Sequence, residues 1–541
     1  MNGVVLLVLD GYGIAPAGPG NAIYLANPQN INSIMSSYPS TTLSASGEAV
    51  GLPAGEVGNT EVGHINLGAG RVIFQDLPRI NMSIADGSFF KNTAFLSAVD
   101  HLKKTGGKLH FLGLVSHATV HSSIEHLFAL LYLAKEQAVK KILIHAITDG
   151  RDSPPKSSAE IIRRLEEKLK EIGTGQIASV IGRYYALDRD RRWERVQRAY
   201  ECLTKNDQPE FATALDAITY AYEHGKSDEF IDPSVISTAE PSRIAEGDAV
   251  IFFNYRIDRP RELTKAFVLN DFEKEANLRL GFDPYEVKYY KTHLLREEVV
   301  TAPFPRGAKI SNLFFVTMTY YTKLEAEVAF PPILVPYPLG KVLAEHEVQQ
   351  LRIAESEKER FVTFYFNGLR EEQFPQEERL IIPSPKVPTY DMKPEMSVYE
   401  LTSNLLRAAK EQKYGFILAN IANPDMVGHT GNIQATISAI KAVDTCIGQI
   451  VAAIIPLGYT CLITGDHGNA EQKINPQTGE ISTEHTANAV PFIAVSQALQ
   501  GKFVHLQNGV LADVAPTILS LLNIPKPETM SGRNLLEGVP R

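Results

Sequence analysis

Residues able to ligate a metal recur in short polar clusters beside apolar runs. Asp10 follows VVLLVL, Asp425 and His429 stand in ANPDMVGHTG, Asp466 and His467 are adjacent in TCLITGDHG, and His485 sits in STEHTANAVPF. One such cluster says little. An Asp-His pair arises by chance about once in a chain of this composition, and a Pro- or Gly-flanked polar loop is usually a solvated turn. Four clusters at the same end of consecutive core strands would instead converge on one place. Mixed carboxylate and imidazole donors suit manganese or zinc better than magnesium or calcium. Six such ligands exceed the needs of one tetrahedral ion. Two ions roughly 3.5–4 Å apart, each with open positions, would clamp the attacking and leaving oxygens of a phosphoryl transfer.

Gly58 to Gly70 reads GNTEVGHINLGAG. Its glycines are expected to bend the backbone tightly and expose the Thr60 hydroxyl, which a bound dication would turn into a nucleophile at neutral pH. A connector with an incidental threonine is the competing reading. A Walker A loop is excluded, because no Gly-Lys-Ser/Thr follows at the needed spacing. The middle of the chain supplies cations: Arg151 beside Asp152 in TDGRDSPP, Arg183 and Arg189 in GRYYALDRDRRWER, and Arg256 and Arg259 in FFNYRIDRPR. Arginine forks bind carboxylate and phosphate bidentately and fit a small polyanion carrying both. Lys358 in RIAESEKERFVTFYFNG is a further candidate. Charge-rich stretches are more often solvated faces, and exposed lysines are commoner than ligand lysines.

The elements that must carry these residues read as alternating strands and helices. Val4 to Leu9 is an unbroken aliphatic run, as in a strand buried on both faces. Similar runs stand at 108–116, 140–150, 176–185, 249–256, 416–421, 460–468 and 490–495. Ser157 to Ile172 predicts an amphipathic helix with a Ser157/Glu160 capping box and a stripe of Ile161, Ile162, Leu165, Leu169 and Ile172. Such alternation predicts α/β layers with mostly parallel sheets, and ligands gather beyond the carboxyl ends of their strands. Two or more domains are expected of 541 residues. Breaks are expected at FPPILVPYP, 330–338, and more weakly at DLPR, 76–79, giving one domain built from both chain ends.

Bulk properties narrow the partners. A formal charge of −9, with 44% apolar and 21% charged residues, describes a soluble globular protein without the basic stripe of a nucleic-acid binder. Cys202, Cys446 and Cys461 form no CxxC pair and suit a reducing compartment. VVLLVL is too short to span a bilayer. A cytoplasmic protein with no membrane or nucleic-acid partner is expected.

Taken together, DGYG, GNTEVGHINLGAGR, TDGRDSPP, GRYYALDRD, NYRIDRPR, AESEK, ANPDMVGHTG, ITGDHGNAE and EHTANAVPF resemble the cofactor-independent phosphoglycerate mutases of the alkaline phosphatase superfamily. They occur in the family's order from Val4 to near the C-terminus. No RHG sequence occurs, so the chain does not resemble the histidine-phosphate mutases that need bisphosphoglycerate.

The resemblance implies an alkaline-phosphatase-like α/β domain from residues 1–75 and 333–541. A second α/β domain, 76–332, is inserted to bind substrate and close over it. It implies that Asp10, Thr60, Asp466 and His467 hold one divalent ion and Asp425, His429 and His485 another. Manganese is the first expectation, with zinc, cobalt or magnesium as alternatives, and no 2,3-bisphosphoglycerate. His121, Arg151, Asp152, Arg183, Arg189, Arg256, Arg259 and Lys358 match substrate-binding positions; Thr60, Asp152 and Lys358 are the implied catalytic set. A monomer interconverting 3- and 2-phosphoglycerate through phospho-Thr60 follows. A phosphohydrolase using the same hydroxyl and a non-catalytic phosphoglycerate-binding protein are the alternatives. The chain departs from the family pattern at three places. Thr60 stands where NSEVGH has serine, HATVHSS stands where DGGVHSH is usual, and the region 275–308 is longer.

Overall fold

The computed structural model describes residues 3–205, 208–238, 241–278, 301–502, 504 and 506–539. The segment GFDPYEVKYYKTHLLREE, 281–298, lies outside them. The chain divides into two compact units, Met1–Gln75 with Ile333–Arg541, and Asp76–Pro332.

In the first unit, eight strands run in the order Glu377–Ile382, Gln350–Glu355, Phe416–Ile421, Val4–Leu9, Thr460–Gly465, Val490–Val495, Ser40–Ser44, Gly509–Val510. Val4–Leu9 is apolar at every position because it pairs in parallel on both edges and has a core on each face. Val4, Leu6 and Val8 join Val62, Leu67 and Phe366 on one side. Val5, Leu7 and Leu9 join Ile440, Val443, Ile447 and Ile450 on the other. These last four belong to the helix Ile433–Ile454, which is long and apolar enough to cross a membrane yet lays them, fully buried, on the sheet.

The register sets Leu9 level with Ile421 and Gly465. The residues that follow, Asp10, Ala422 and Asp466, therefore leave the sheet at one end. Gln350–Glu355 runs parallel beside them and leads into Ser356–Lys358. His485 reaches this end differently, since it precedes Val490–Val495 instead of following it. That strand is antiparallel to Thr460–Gly465.

GNTEVGHINLGAG does not form a tight turn. Thr60–Ala69 is an α-helix, with Asn59 as its cap accepting the N–H groups of Glu61 and Val62. Gly63 and Gly68 lie inside it and serve close packing. A Cβ on Gly63 would stand 2.8 Å from Asp466 Cβ, and one on Gly68 would stand 2.0 Å from the Phe366 carbonyl oxygen.

The second unit has its own eight-stranded sheet, ordered Glu327–Phe330, Phe314–Thr319, Ala249–Phe252, Leu109–Leu114, Ile142–Thr148, Gln176–Gly182, Ser234–Ile236, Glu210–Phe211. Among the described residues of this sheet, only the pairing of Gln176–Gly182 with Ser234–Ile236 is antiparallel. The strand from Gln176 stops at Gly182, and Arg183–Ala186 turns into a short helix. DLPR opens the helix Asp76–Ala85, and the division between the two units falls immediately before it. The Ser157/Glu160 capping box does not form. Asp228 Oδ2 accepts the N–H groups of Ser157 and Ser158 at 2.8 and 2.9 Å, while Ser157 Oγ turns to the Pro154 carbonyl at 3.0 Å. The apolar stripe of this helix is buried. All three cysteines are buried and unpaired.

A buried polar chain crosses this second sheet. Ser179 Oγ lies 2.8 Å from His145 Nδ1, His145 Nε2 lies 2.9 Å from His110 Nδ1, and His110 Nε2 lies 3.1 Å from Asp248 Oδ2. Lys108 Nζ faces the same carboxylate oxygen at 3.3 Å. Burial holds His110 below the ordinary imidazole value despite Asp248. Burial, with His110 and Lys108 beside it, holds His145 well below. Burial opposes the Asp248 charge as well, but His110 and the N–H groups of Lys108 and Ala245 keep that carboxyl below its usual range. The unfolded chain therefore binds more protons as pH falls, first at the imidazoles and then at Asp248, and stability falls with it. Denaturant unfolding of this unit is expected to shift to a lower midpoint from about pH 8 to about pH 5. His145→Gln should flatten that slope, and an unchanged slope would refute the assignment.

Candidate metal centre and cation cluster

In the first unit the strand ends bring three buried carboxylates, Asp10, Asp425 and Asp466, around the start of the helix Thr60–Ala69. Thr60 Oγ1 lies 3.0 Å from His467 Nε2, 3.2 Å from Lys358 Nζ and 3.3 Å from Asp10 Oδ1. Lys358 Nζ also donates to Asp425 Oδ2 at 2.6 Å and Asp10 Oδ1 at 2.8 Å. Around Asp425 Oδ1 stand His429 Nε2 at 3.1 Å and His485 Nε2 at 3.2 Å, themselves 3.0 Å apart. Each imidazole is aimed by a carbonyl on its other nitrogen: Thr483 for His429, Gly58 for His485 and Gly468 for His467. Such support is the usual accompaniment of metal-ligating histidines.

Two donor groupings result. Asp10, Asp466 and His467 offer one atom each within 4.8 Å of one another, and so do Asp425, His467 and His485. His467 belongs to both. The donor set fits borderline-hard divalent cations. One buried oxygen gives independent support: Asp466 Oδ2 lies 3.2 Å from His64 Nδ1 yet accepts no hydrogen bond, a cost that a cation would relieve. The field of the carboxylates is strong. Burial disfavours the charged imidazolium, but Asp466, Asp10 and Asp425 push His467 up to about 10. Burial also opposes the charge on Asp466, yet His467, His64 and Lys358 bring its carboxyl down to about 2.

The sequence motifs left two members of this site without a role. Asn420 Nδ2 donates to Asp10 Oδ2 at 2.7 Å and faces His64 Nε2 at 3.1 Å. His64 therefore carries its proton on Nδ1, which faces the Thr60 carbonyl at 3.0 Å. The helical spacing of Thr60 and His64 was the available signal.

In the second unit Arg183 is the centre of a buried cluster. Its Nη1 donates to Asp149 Oδ1 and Asp152 Oδ2, both at 2.6 Å, and its Nη2 lies 2.9 Å from His121 Nε2. Burial, with Arg183 and Arg256 nearby, pushes His121 down to about 3, so its Nε2 accepts from Arg183. Arg189 and Arg256 meet on Asp258 at 2.8 and 2.9 Å. Arg259 Nη1 donates to the Leu187 carbonyl, and burial beside Arg183 and Arg189 lowers it to about 10. Arg151 is half-exposed with its guanidinium 3.6 Å from Glu229, its backbone N–H donates to Asp149, and its charge also bears on Arg259. Asp149 and Asp258, which neutralise this cluster, were not singled out by sequence. Burial opposes the Asp149 charge, but Ser116, the Asp152 N–H and Arg183 outweigh it and hold the carboxyl below its usual range.

Comparisons with known proteins agree with this chemistry. Residues 80–323 match the family described as BPG-independent PGAM N-terminus, and residues 288–504 match type I phosphodiesterase / nucleotide pyrophosphatase. The 2,3-bisphosphoglycerate-independent phosphoglycerate mutase of Moorella thermoacetica is 46% identical over 98% of both chains. That of Methanosarcina acetivorans, numbered 2, is 46% identical over 98% of this chain and 97% of its own. A crystal structure of Leishmania mexicana phosphoglycerate mutase at low cobalt concentration is 27% identical. It covers 98% of this chain and 97% of that one, with a TM-score of 0.59.

Proposed function

The chain belongs to the 2,3-bisphosphoglycerate-independent phosphoglycerate mutases, and we propose that it interconverts 3- and 2-phosphoglycerate by carrying the phosphoryl group on Thr60. The observation that supports this assignment is the Thr60 hydroxyl itself, buried within 3.3 Å of Asp10, His467 and Lys358. Asp10, Asp466 and His467 would hold one divalent ion and Asp425, His429 and His485 the other, with manganese the first choice for this donor set. Bound dications would lower the hydroxyl's pKa and offset charge on the transferring phosphoryl group.

The chain's own residues do the rest. Thr60 Oγ1 attacks phosphorus as the bond to the C3 oxygen breaks, and the hydroxyl proton ends on glycerate. Lys358 faces the transferring oxygens. Glycerate turns, its 2-hydroxyl attacks phosphorus, and the Thr60 hydroxyl is restored. Asp152, held by Arg183, takes and returns the proton at the glycerate hydroxyls. Arg183, Arg189, Arg256 and Arg259, with His121, retain the carboxylate. Arg151, half-exposed beside Glu229, is assigned the outer edge of the same role.

The test is an assay for 2-phosphoglycerate from 3-phosphoglycerate, with Mn²⁺ and without bisphosphoglycerate. Product is expected, together with its loss on chelation and recovery on adding Mn²⁺. Release of inorganic phosphate faster than 2-phosphoglycerate would instead make the protein a phosphohydrolase. Binding without turnover would make it a phosphoglycerate-binding protein.

A further inference from the structure

Behind the ligand-bearing loops of the first unit runs GNAEQK, Gly468–Lys473. The structure buries Asn469, Glu471 and Lys473. Glu471 accepts the N–H groups of Gly13 at 3.0 Å and Asn469 at 2.9 Å, the side-chain amide of Asn488 at 3.0 Å, and the Thr486 hydroxyl. It thereby ties together the loops that carry Asp10, His467 and His485. Lys473 does the same for the remaining loop. Its Nζ donates to the Gly428 carbonyl at 3.0 Å and to Asn469 Oδ1, and Gly428 ends the helix that carries Asp425 and leads to His429.

The chemistry of an ammonium decides what Asn469 does. Lys473 has donors only, so it compels the Asn469 amide to turn its oxygen inward and its NH₂ outward. That NH₂ donates to Asp425 Oδ1 at 2.9 Å. Without the ammonium the amide loses the donor that anchors its oxygen, and only its contacts with Asp425 are left to orient it.

We propose that Lys473 is a positioning residue for metal binding: through Asn469 and the Gly428 carbonyl it fixes the orientation of Asp425 and His429. The proposal rests on the metal reading of the site. Its test is direct Mn²⁺ binding, by calorimetry and electron paramagnetic resonance, to the full chain and to Lys473→Met, Asn469→Leu and the double variant. Circular dichroism would verify folding. Each single variant is expected to bind Mn²⁺ roughly 10–100-fold more weakly. The double variant should be no worse than the weaker-binding single, because the Asn469 route is one that Lys473 already controls. Parent-like affinity in Lys473→Met, or losses that multiply in the double variant, overturn the proposal. Should Lys473→Met fail to fold, parent-like affinity in Asn469→Leu overturns it equally. Failure of the parent itself to bind Mn²⁺ removes the metal reading, and this inference with it.

Discussion

Thr60→Ala is expected to lower mutase turnover by roughly three orders of magnitude or more, whereas Thr60→Ser should stay within about tenfold of the parent. The alanine variant keeps the Asn59 cap and the helix that follows it, so the loss would report the missing oxygen, not a lost fold. Serine restores that oxygen at the same place. What it lacks is the methyl that stiffens χ1, so the hydroxyl is aimed by Asp10, His467 and Lys358 alone. The chemical readout is acid-quenched enzyme examined by mass spectrometry: phosphothreonine in the parent, phosphoserine in Thr60→Ser, neither in Thr60→Ala. Parent-like turnover in the alanine variant would sink the covalent mechanism.

The contrast between strands and loops explains what the sequence revealed. A strand buried on both faces is largely apolar, so VVLLVL and FILANI, interrupted only by Asn420, announce themselves, and the polar residue after each run marks the end where a site can form. Asp10, Asp425, His429, Asp466 and His467 were legible for that reason, while His485 precedes its strand, and the structure gathers all six in one place. GNTEVGHINLGAG misleads because glycine has two uses. It permits bends, but it also permits contact: Gly63 lets the helix lie against Asp466, and Gly68 lets it lie against Phe366. Nothing in a single sequence separates these uses. Counter-ions are hidden for a related reason. An arginine-rich stretch does not state which carboxylate it meets, so Asp149 and Asp258 emerged only from the fold. The part played by Lys473 emerged only from the fold, because its partner Gly428 is distant in sequence.

Lys358→Met is expected to lower kcat by about 10²–10³-fold while leaving Mn²⁺ affinity unchanged or tighter. Lys358 is 3% exposed, and its ammonium touches Asp425 Oδ2 at 2.6 Å, Asp10 Oδ1 at 2.8 Å and Thr60 Oγ1 at 3.2 Å. Burial disfavours its charge, but Asp10, Asp425 and Asp466 more than offset that and raise its pKa, so it remains protonated. A cation on two prospective ligands competes with a metal for them. Removing it should therefore not weaken metal binding. In the proposed turnover the same charge would face the transferring phosphoryl oxygens, and its loss should fall on kcat. Lys358→Arg supplies a control, since a planar fork cannot replace a compact ammonium among three oxygens; it should not restore the rate. If Mn²⁺ affinity fell in step with kcat, Lys358 would be a builder of the metal site, and its role in stabilising transferred charge would have to be abandoned.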